Sequence, residues 1–484
     1  MLVFLFSVAQ VFLCLKFLHH YQMNGYRFGG DRALLRKWCA GDLLCLLFLL
    51  DLFVPETHLE LVVSLSLYLM LISVLTMGRK TPLRFTKRLI RNLIGAAVLV
   101  FAINFGAFFH AEHWLLLSGL FTGVWMAAAS LALLPYENAV RRKYIRRAAQ
   151  KMKGLSCRVI GITGSFGKTT TKNLLYDLLK DSFRTVRTPA SYNTEMGVAM
   201  TVLNEVTEDT EVLICEMGAR RQGDIAALCE MTGVTDSILT GIGYCHYKTF
   251  KSLETIKQTK FELCEHTKGC CVFADTPETR DLYLRAPCEK LLAKWEGVGI
   301  NSFTLELGGE KHFFHTNLVG SVHLQNLALA LLLAHRLGID ADTLKKRCLN
   351  LSATPHRLEL IKNGAVTILD DSYNSNLSGV RGMIEVVKSF SGRKILVTCG
   401  MVELGKLQYR QNLEFARLCG VFDFLFIISK TNRKAFEDGL AEIGYPKERV
   451  VYFKKLSQLQ EFLKDFMRGN DLIVFENDLP DNYL

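Results

Sequence analysis

Arg158-Val-Ile-Gly-Ile-Thr-Gly-Ser-Phe-Gly-Lys-Thr-Thr170 is the stretch whose reading decides the fold. Arg158 to Ile162 is a short apolar run that predicts a buried strand, and Thr170 to Leu179 reads as the helix that the following turn opens. Strand, Gly-rich turn and helix in that order make a phosphate cradle. Gly164 and Gly167 let backbone N–H groups approach the phosphates, and the helix N-terminus adds its positive end. Lys168 is placed to reach the β- and γ-phosphates, and the Thr169 hydroxyl to sit on Mg²⁺. The standard G-x-x-x-x-G-K-[ST] pattern is missed at one position, where Ile162 stands for the first glycine.

Outward from this loop the chain keeps an α/β rhythm. Glu211 to Glu216 and Ser237 to Thr240 read as further strands, and Asn326 to Leu337 as an apolar helix. A boundary falls near Ser352-Ala-Thr-Pro355, after which the alternation restarts. Val366–Leu369, Ile395–Thr398, Phe422–Ile428, Val450–Phe453 and Leu472–Glu476 are strands, with helical runs at Gln411–Leu418, Arg433–Ile443 and Leu456–Met467. The predicted organisation is a membrane domain over 1–153, an ATP-binding α/β domain over 154–352 and a Rossmann-like α/β domain over 353–484.

The 484 residues carry a formal charge of +11 and 50% hydrophobic residues, with a mean hydropathy of +0.19. The apolar excess sits before residue 135. A helix crosses a bilayer with about 20 apolar residues, and Met1–Leu18, Leu61–Met77, Leu93–His110 and Trp114–Leu134 fit that length or nearly so. Ala40–Val54 is shorter and carries Asp42 and Asp51, which either line a polar groove or mark a short span near the interface. The first span lacks the basic leader and small-residue cleavage site of a signal peptide, which favours a retained helix. Lys and Arg crowd three loops: Arg27 to Lys37, Arg79 to Arg91 and Arg141 to Lys153. The two intervening connections have none, so the positive-inside rule expects five spans, an outside N-terminus and cytoplasmic catalytic domains at a bacterial inner membrane. The basic surplus is thereby used on topology and predicts no nucleic-acid partner. The 14 cysteines form no C-x-x-C pair and read as reduced, small apolar residues.

Thr163 to Thr170 resembles the phosphate loop of the Mur ligases, which join an amine to a carboxylate at the expense of ATP. Ser191-Tyr-Asn-Thr-Glu-Met-Gly-Val198, Glu216-Met-Gly-Ala219, Gly241-Ile-Gly-Tyr-Cys-His246 and Ser252-Leu-Glu-Thr-Ile-Lys-Gln-Thr-Lys-Phe-Glu262 continue the resemblance. His356-Arg-Leu-Glu359, Asp370-Asp-Ser-Tyr-Asn-Ser-Asn376 and Met401-Val-Glu-Leu-Gly405 follow in the same order. It runs from about 155 to 470 and points to the branch that adds D-alanyl-D-alanine. The resemblance implies a nucleotide site of Gly164, Ser165, Gly167, Lys168, Thr169, Thr170, Asn326, Arg357 and Asp371. It implies Mg²⁺ ligation by Thr169, Glu216, His246 and a carbamylated Lys260, with Lys257 one turn away as the alternative lysine. Lys168, Lys260, His246 and Glu216 are the implied catalytic set. Arg357 is expected on phosphate, Asp371 on the ribose and Asn326 on adenine, although Val322-His323 replaces the family's His-Asn. Asn193-Thr-Glu195 is expected beside the acceptor carboxylate.

The resemblance fails where the substrate is gripped. Membrane spans replace the family's UDP-binding N-terminal domain, and Phe475-Glu-Asn-Asp-Leu-Pro-Asp-Asn482 replaces a Lys-Gly-Ser-like loop. The expected activity is therefore an ATP-dependent amide ligase of envelope-precursor synthesis, adding an amino acid or dipeptide to a lipid-linked or UDP-linked carboxylate acceptor presented at membrane lipid. A membrane transport ATPase and a non-catalytic scaffold of the same fold are the other two readings. The first lacks an ABC-type signature, and the second leaves Lys168, Thr169, Glu216, Arg357 and Asp371 unexplained.

Overall fold

A computed structural model describes residues 2–23, 26, 83–108, 118–119, 121–245, 247–428, 430–454 and 456–477. The expected spans Ala40–Val54 and Leu61–Met77, with Asp42 and Asp51, lie outside these residues, as do His246 and the chain's end beyond Asn477. The chain divides into two compact units, Met1–Lys143 and Tyr144–Leu484.

In the first unit, helix α1 (Leu2–Met23) and helix α2 (Lys87–Phe108) pack through Phe6, Leu13, Phe17, Leu18, Leu89, Ala96 and Val100. The buried Asn104 amide on α2 donates to Ser7 Oγ (2.9 Å) and Gln10 Oε1 (2.6 Å) on α1. Helix α2 begins earlier than the apolar run suggested, so Lys87, Arg88 and Arg91 are helical. Arg91 makes a bidentate pair with the buried Glu137 at 2.6 and 2.8 Å. Glu137 lies on helix α3 (Thr122–Lys153), which runs on through Pro135 into the basic segment expected to be a loop. Among the described residues one helix, Lys87–Gly106, is long and apolar enough to cross a membrane. Its outward Ile94 and Val98 are exposed, as are Val124 and Leu131 on α3.

The second unit opens with six parallel strands: β1 (Arg158–Thr163), β2 (Thr185–Arg187), β3 (Val212–Glu216), β4 (Asp236–Leu239), β5 (Cys270–Ala274) and β6 (Glu289–Ala293). Their order in the sheet is β2-β3-β1-β4-β5-β6. The strands are apolar on both faces because helices cover both. These are α4 (Lys168–Leu179), α5 (Glu195–Asn204), α6 (Asp224–Thr232), α7 (Leu253–Glu265) and α8 (Ser321–Arg336). The missing first glycine of the phosphate motif now has a reason. Ile162 is a fully buried strand residue in register with Glu216 and Ile238, and the turn starts only at Gly164. A three-stranded antiparallel sheet, β7 (Trp295–Gly299), β8 (Ser302–Leu307) and β9 (Glu310–His315), adds Phe303, Leu305, Leu307 and Phe314 to the core under α8. Periodicity had not foreseen it.

The remaining sheet runs β10-β11-β15-β12-β13-β14: β10 (Glu359–Asn363), β11 (Val366–Asp371), β12 (Lys394–Thr398), β13 (Phe424–Ile428), β14 (Val450–Phe453) and β15 (Leu472–Glu476). Only β10 is antiparallel. Strand β15 takes the bounds expected for it, Leu472–Glu476, and its last residue, Glu476, is fully buried beside Asp371 in register.

Candidate active site

Order reverses at β1 in the first sheet, with β3 to one side and β4 to the other, and ligands of open α/β sheets bind at such a switch beyond the strands' carboxyl ends. Both elements of the phosphate turn meet there. Gly167, at φ 80, caps α4, and a Cβ on it would lie 2.4 Å from Asn326 Oδ1. A Cβ on Gly164 would lie 1.9 Å from Thr240 Oγ1. Only glycine permits these approaches. Ser165 N and Oγ donate to Gly241 O (2.8 Å) and Gly243 O (2.9 Å), so the Gly241–Cys245 segment clasps the turn. Thr170 is buried behind it.

Glu216, at the carboxyl end of β3 and 1% exposed, is the hub. Its Oε2 accepts from Thr169 Oγ1 (2.9 Å) and Lys172 Nζ (3.1 Å), and its Oε1 accepts from Asn193 Nδ2 (2.9 Å). Asn193 therefore holds Glu216, and its neighbour Thr194 caps α5. Lys172 went unnoticed in the sequence because a lysine on a helix is ordinarily solvated. Its sign was its place on the buried stripe of Leu175 and Leu179, three and seven residues on.

Lys168 Nζ donates to Gly164 O (2.8 Å) and Ser165 O (3.3 Å). Lys260, on α7 and 2% exposed, lies within the field of Lys168. Burial, then the Lys168 charge, lowers its pKa to about 8. Burial also lowers Lys168 and Lys172, with Arg357 adding to the effect on Lys168 and Glu216 opposing it on both. Lys168 and Lys172 thus share the field of one carboxylate, Glu216, with Lys260 beside Lys168, a charge set that an anion completes. The hard oxygens of Thr169 and Glu216 are a donor pair suited to Mg²⁺.

Arg357 is brought to this cavity from the C-terminal segment. His356 (φ 62) and Leu358 (φ 48) on either side of it are in the left-handed region, a conformation side chains avoid unless surroundings impose it. Here His356 Nδ1 bonds Asp370 Oδ2 (2.8 Å), and Leu358 N donates to Asp371 Oδ1 (3.1 Å). Arg357 lies 3.9 Å over the Tyr373 ring, and the buried His323 lies within its field. Asn326 accepts from Thr171 Oγ1 (3.3 Å), which sets it beneath the phosphate turn.

Burial raises the Asp371 carboxyl to about 6 against the opposing pull of Arg357. A raised carboxyl pKa means that the native state holds a proton longer than the unfolded one, so stability falls as pH rises from about 4 through 6. Asp371→Asn is expected to raise stability at pH 7.5 by ~1–2 kcal/mol and to show no gain at pH 4, measured by urea unfolding at both values.

Known proteins supply the context. The family models for the Mur ligase middle domain and for the Mur ligase glutamate ligase domain match residues 162–334 and 356–476. The UDP-N-acetylmuramoyl-tripeptide–D-alanyl-D-alanine ligase of Bacillus subtilis is 28% identical over 350 residues, 67% of this chain and 74% of that protein. The enzyme of the same name from Escherichia coli K12 is 26% identical, over 68% of this chain and 77% of its own length. The crystal structure of MurF ligase from Thermotoga maritima in complex with ADP superposes with a TM-score of 0.63 at 26% identity, covering 70% of this chain and 80% of that one. With its phosphate turn, its buried carboxylate hub and the two matching domains in sequence order, this chain belongs to the Mur ligase family and is a MurF-like, ATP-dependent ligase.

Proposed function

We propose that the chain activates a carboxylate with ATP as an acyl phosphate and joins it to the amine of an amino acid or dipeptide, for peptidoglycan-type precursors presented at a membrane. The observation that carries this reading is the convergence of Lys168, Lys172 and Arg357 on Glu216, with Lys260 beside Lys168. Such an excess of buried positive charge suits the developing charge of a phosphoryl group in transfer, where catalysis is chiefly positioning and electrostatic stabilisation. Gly164, Ser165, Gly167, Thr169 and Thr170 present the turn to the phosphates, Lys168 and Arg357 supply countercharge, and Asp371 and Asn326 hold the nucleoside. Thr169, Glu216 and Lys260 would hold Mg²⁺, with His246 as a further ligand by family resemblance. Bound there, the cation neutralises phosphate charge.

Membrane attachment rests on the apolar Lys87–Gly106 helix with its exposed Ile94 and Val98, and on the basic loops of the sequence. Taken with the replacement of the family's UDP-gripping domain, it favours a lipid-linked carboxylate acceptor and catalytic domains on the cytoplasmic face. The test is ADP and phosphate release by the purified full-length protein. Release is expected only when acceptor carboxylate and amine are both present. Equal turnover without either sinks the ligase reading, and product found solely on soluble UDP-sugars sinks the lipid-linked one.

Lys260 carries a second expectation. Near pH 8 an appreciable fraction of its amine is neutral, the form that adds CO₂ to give a carbamate with loss of one proton. The stability cost of burying this lysine is full below about pH 8 and fades as pH rises from there towards the ordinary lysine value of 10.5. Lys260→Ala is expected to lower kcat at least ~100-fold, and ¹³C-bicarbonate is expected to yield a carbamate resonance that this variant lacks.

A further inference from the structure

We infer that Ser191 and Tyr373 form a latch between the middle and C-terminal domains, in which Tyr373 is the positioning residue for Arg357 and Lys172 docks the segment that carries Ser191. The inference rests on the roles proposed above for Glu216 and Arg357.

Segment 188–194 is wrapped around Glu216. The Thr188 hydroxyl accepts from Glu216 N (3.0 Å), and Thr188 N donates to Ile214 O (3.0 Å). Asn193 holds Glu216 Oε1, while Gly218 N donates to Asn193 O (2.8 Å). Between these two anchors Ala190 sits at φ 43, a left-handed conformation that a residue with a Cβ adopts only under constraint. The constraint is visible. Lys172 Nζ donates both to Ala190 O and to Glu216 Oε2, so one buried ammonium ties the apex of the segment to the hub.

The turn so formed presents Ser191 outward. Its Oγ shares a 2.8 Å hydrogen bond with Tyr373 OH, and the Tyr373 ring lies under Arg357. Tyr373 N donates in turn to His356 O (3.2 Å), the residue before Arg357. A continuous path therefore runs from Glu216 through Lys172, Ala190, Ser191 and Tyr373 to Arg357. Among the described residues the other hydrogen bonds that join the domains, Asn173 to Thr354 and Ser321 to Glu385, touch neither Glu216 nor Arg357. Tyr373 is 52% exposed, so the latch closes at the surface, where a hydroxyl pair can open and re-form with domain motion. The arrangement makes the placement of Arg357 conditional on an ordered Glu216 site.

Three variants of the full-length protein decide the matter: Tyr373→Phe, Ser191→Ala and the two combined. Tyr373→Phe keeps the ring beneath Arg357 and removes only the bond. Each single change is expected to weaken ADP binding, read by calorimetry, by roughly 3–10-fold. The KM for ATP should rise in step with less change in kcat, and amide exchange across 188–194 should quicken. The double variant should be no worse than either single one, since both remove the same bond. Tyr373→Ala, which also takes away the ring, should lose more. Lys172→Met should quicken exchange in 188–194 without touching Tyr373; if it fails to fold, the Ser191 and Tyr373 pair still decides. Unchanged exchange and ADP affinity in either single variant, or losses that add in the double, overturn the latch. ADP binding and exchange need no acceptor or amine. A protein that binds ADP but ligates nothing would therefore sink the functional reading while leaving the latch measurable.

Discussion

Lys168→Ala is expected to cut ATP-dependent ligation by about 10²–10³-fold or more while the protein stays folded. The magnitude is that of removing one preorganised donor aimed at developing charge in a site shielded from water. In Lys168 that donor is already poised, since Nζ rests on Gly164 O and Ser165 O of the turn that would surround the phosphates. Stability should hardly suffer. The lysine is partly buried, its charge is disfavoured by burial and by Arg357, and removing it relieves both. Lys168→Arg is a sharper probe than alanine. It keeps the charge but not the shape, and a planar guanidinium cannot repeat the ammonium's contacts to Gly164 O and Ser165 O. Both variants should unfold thermally within a few degrees of the parent and bind ADP more weakly. A Lys168→Ala protein with parental turnover would remove the phosphate turn from the mechanism.

How far the sequence carried the fold depended on whether neighbours in space were also neighbours in pattern. Strands β1, β3, β12 and β13 are buried on both faces, so each announces itself as an apolar run, and the turn after β1 is a local signal complete in itself. Sheet β7–β9 is not local in this sense. Trp295–Gly299 is mostly exposed and contains Gly297 and Gly299, and its identity as a strand comes only from pairing with Ser302–Leu307. The site divides the same way. Gly164, Lys168 and Thr169 could be named from one motif, whereas Lys172 acquires meaning only because β3 delivers Glu216 to it across the sheet. Glu476 is the clearest case. Its place as the last residue of an apolar strand is legible, but only the parallel pairing of β15 with β11 sets it against Asp371. Burial then raises the Glu476 carboxyl well above its ordinary range, with the Asp371 charge adding to the rise.

The largest expected effect on stability and activity together comes from Glu216. Glu216→Ala leaves the ammonium of Lys172, itself 0% exposed, without its only carboxylate partner among the described residues. Removing one member of a buried ion pair typically costs about 3–5 kcal/mol, because the survivor keeps its desolvation penalty and loses its compensation. Asn193 Nδ2 and the Thr169 hydroxyl lose their acceptor at the same time, so the upper part of that range is expected. Activity should vanish as well, but a destabilised enzyme is a poor witness to chemistry. The double variant Glu216→Gln with Lys172→Met separates the two effects. It restores a neutral, satisfied cluster of nearly parental volume, and coupling between contacting residues of 0.5–3 kcal/mol is ordinary. Urea unfolding is therefore expected to show most of the lost stability returned in the double variant, while ATP-dependent ligation stays below about 1% of the parental rate. If the double variant recovers stability and activity together, Glu216 is a structural counter-ion to Lys172 and the oxygen ligand that the site requires lies elsewhere. If it recovers neither, the cluster serves the fold through contacts beyond this pair, and the charge argument for the cavity fails at its centre.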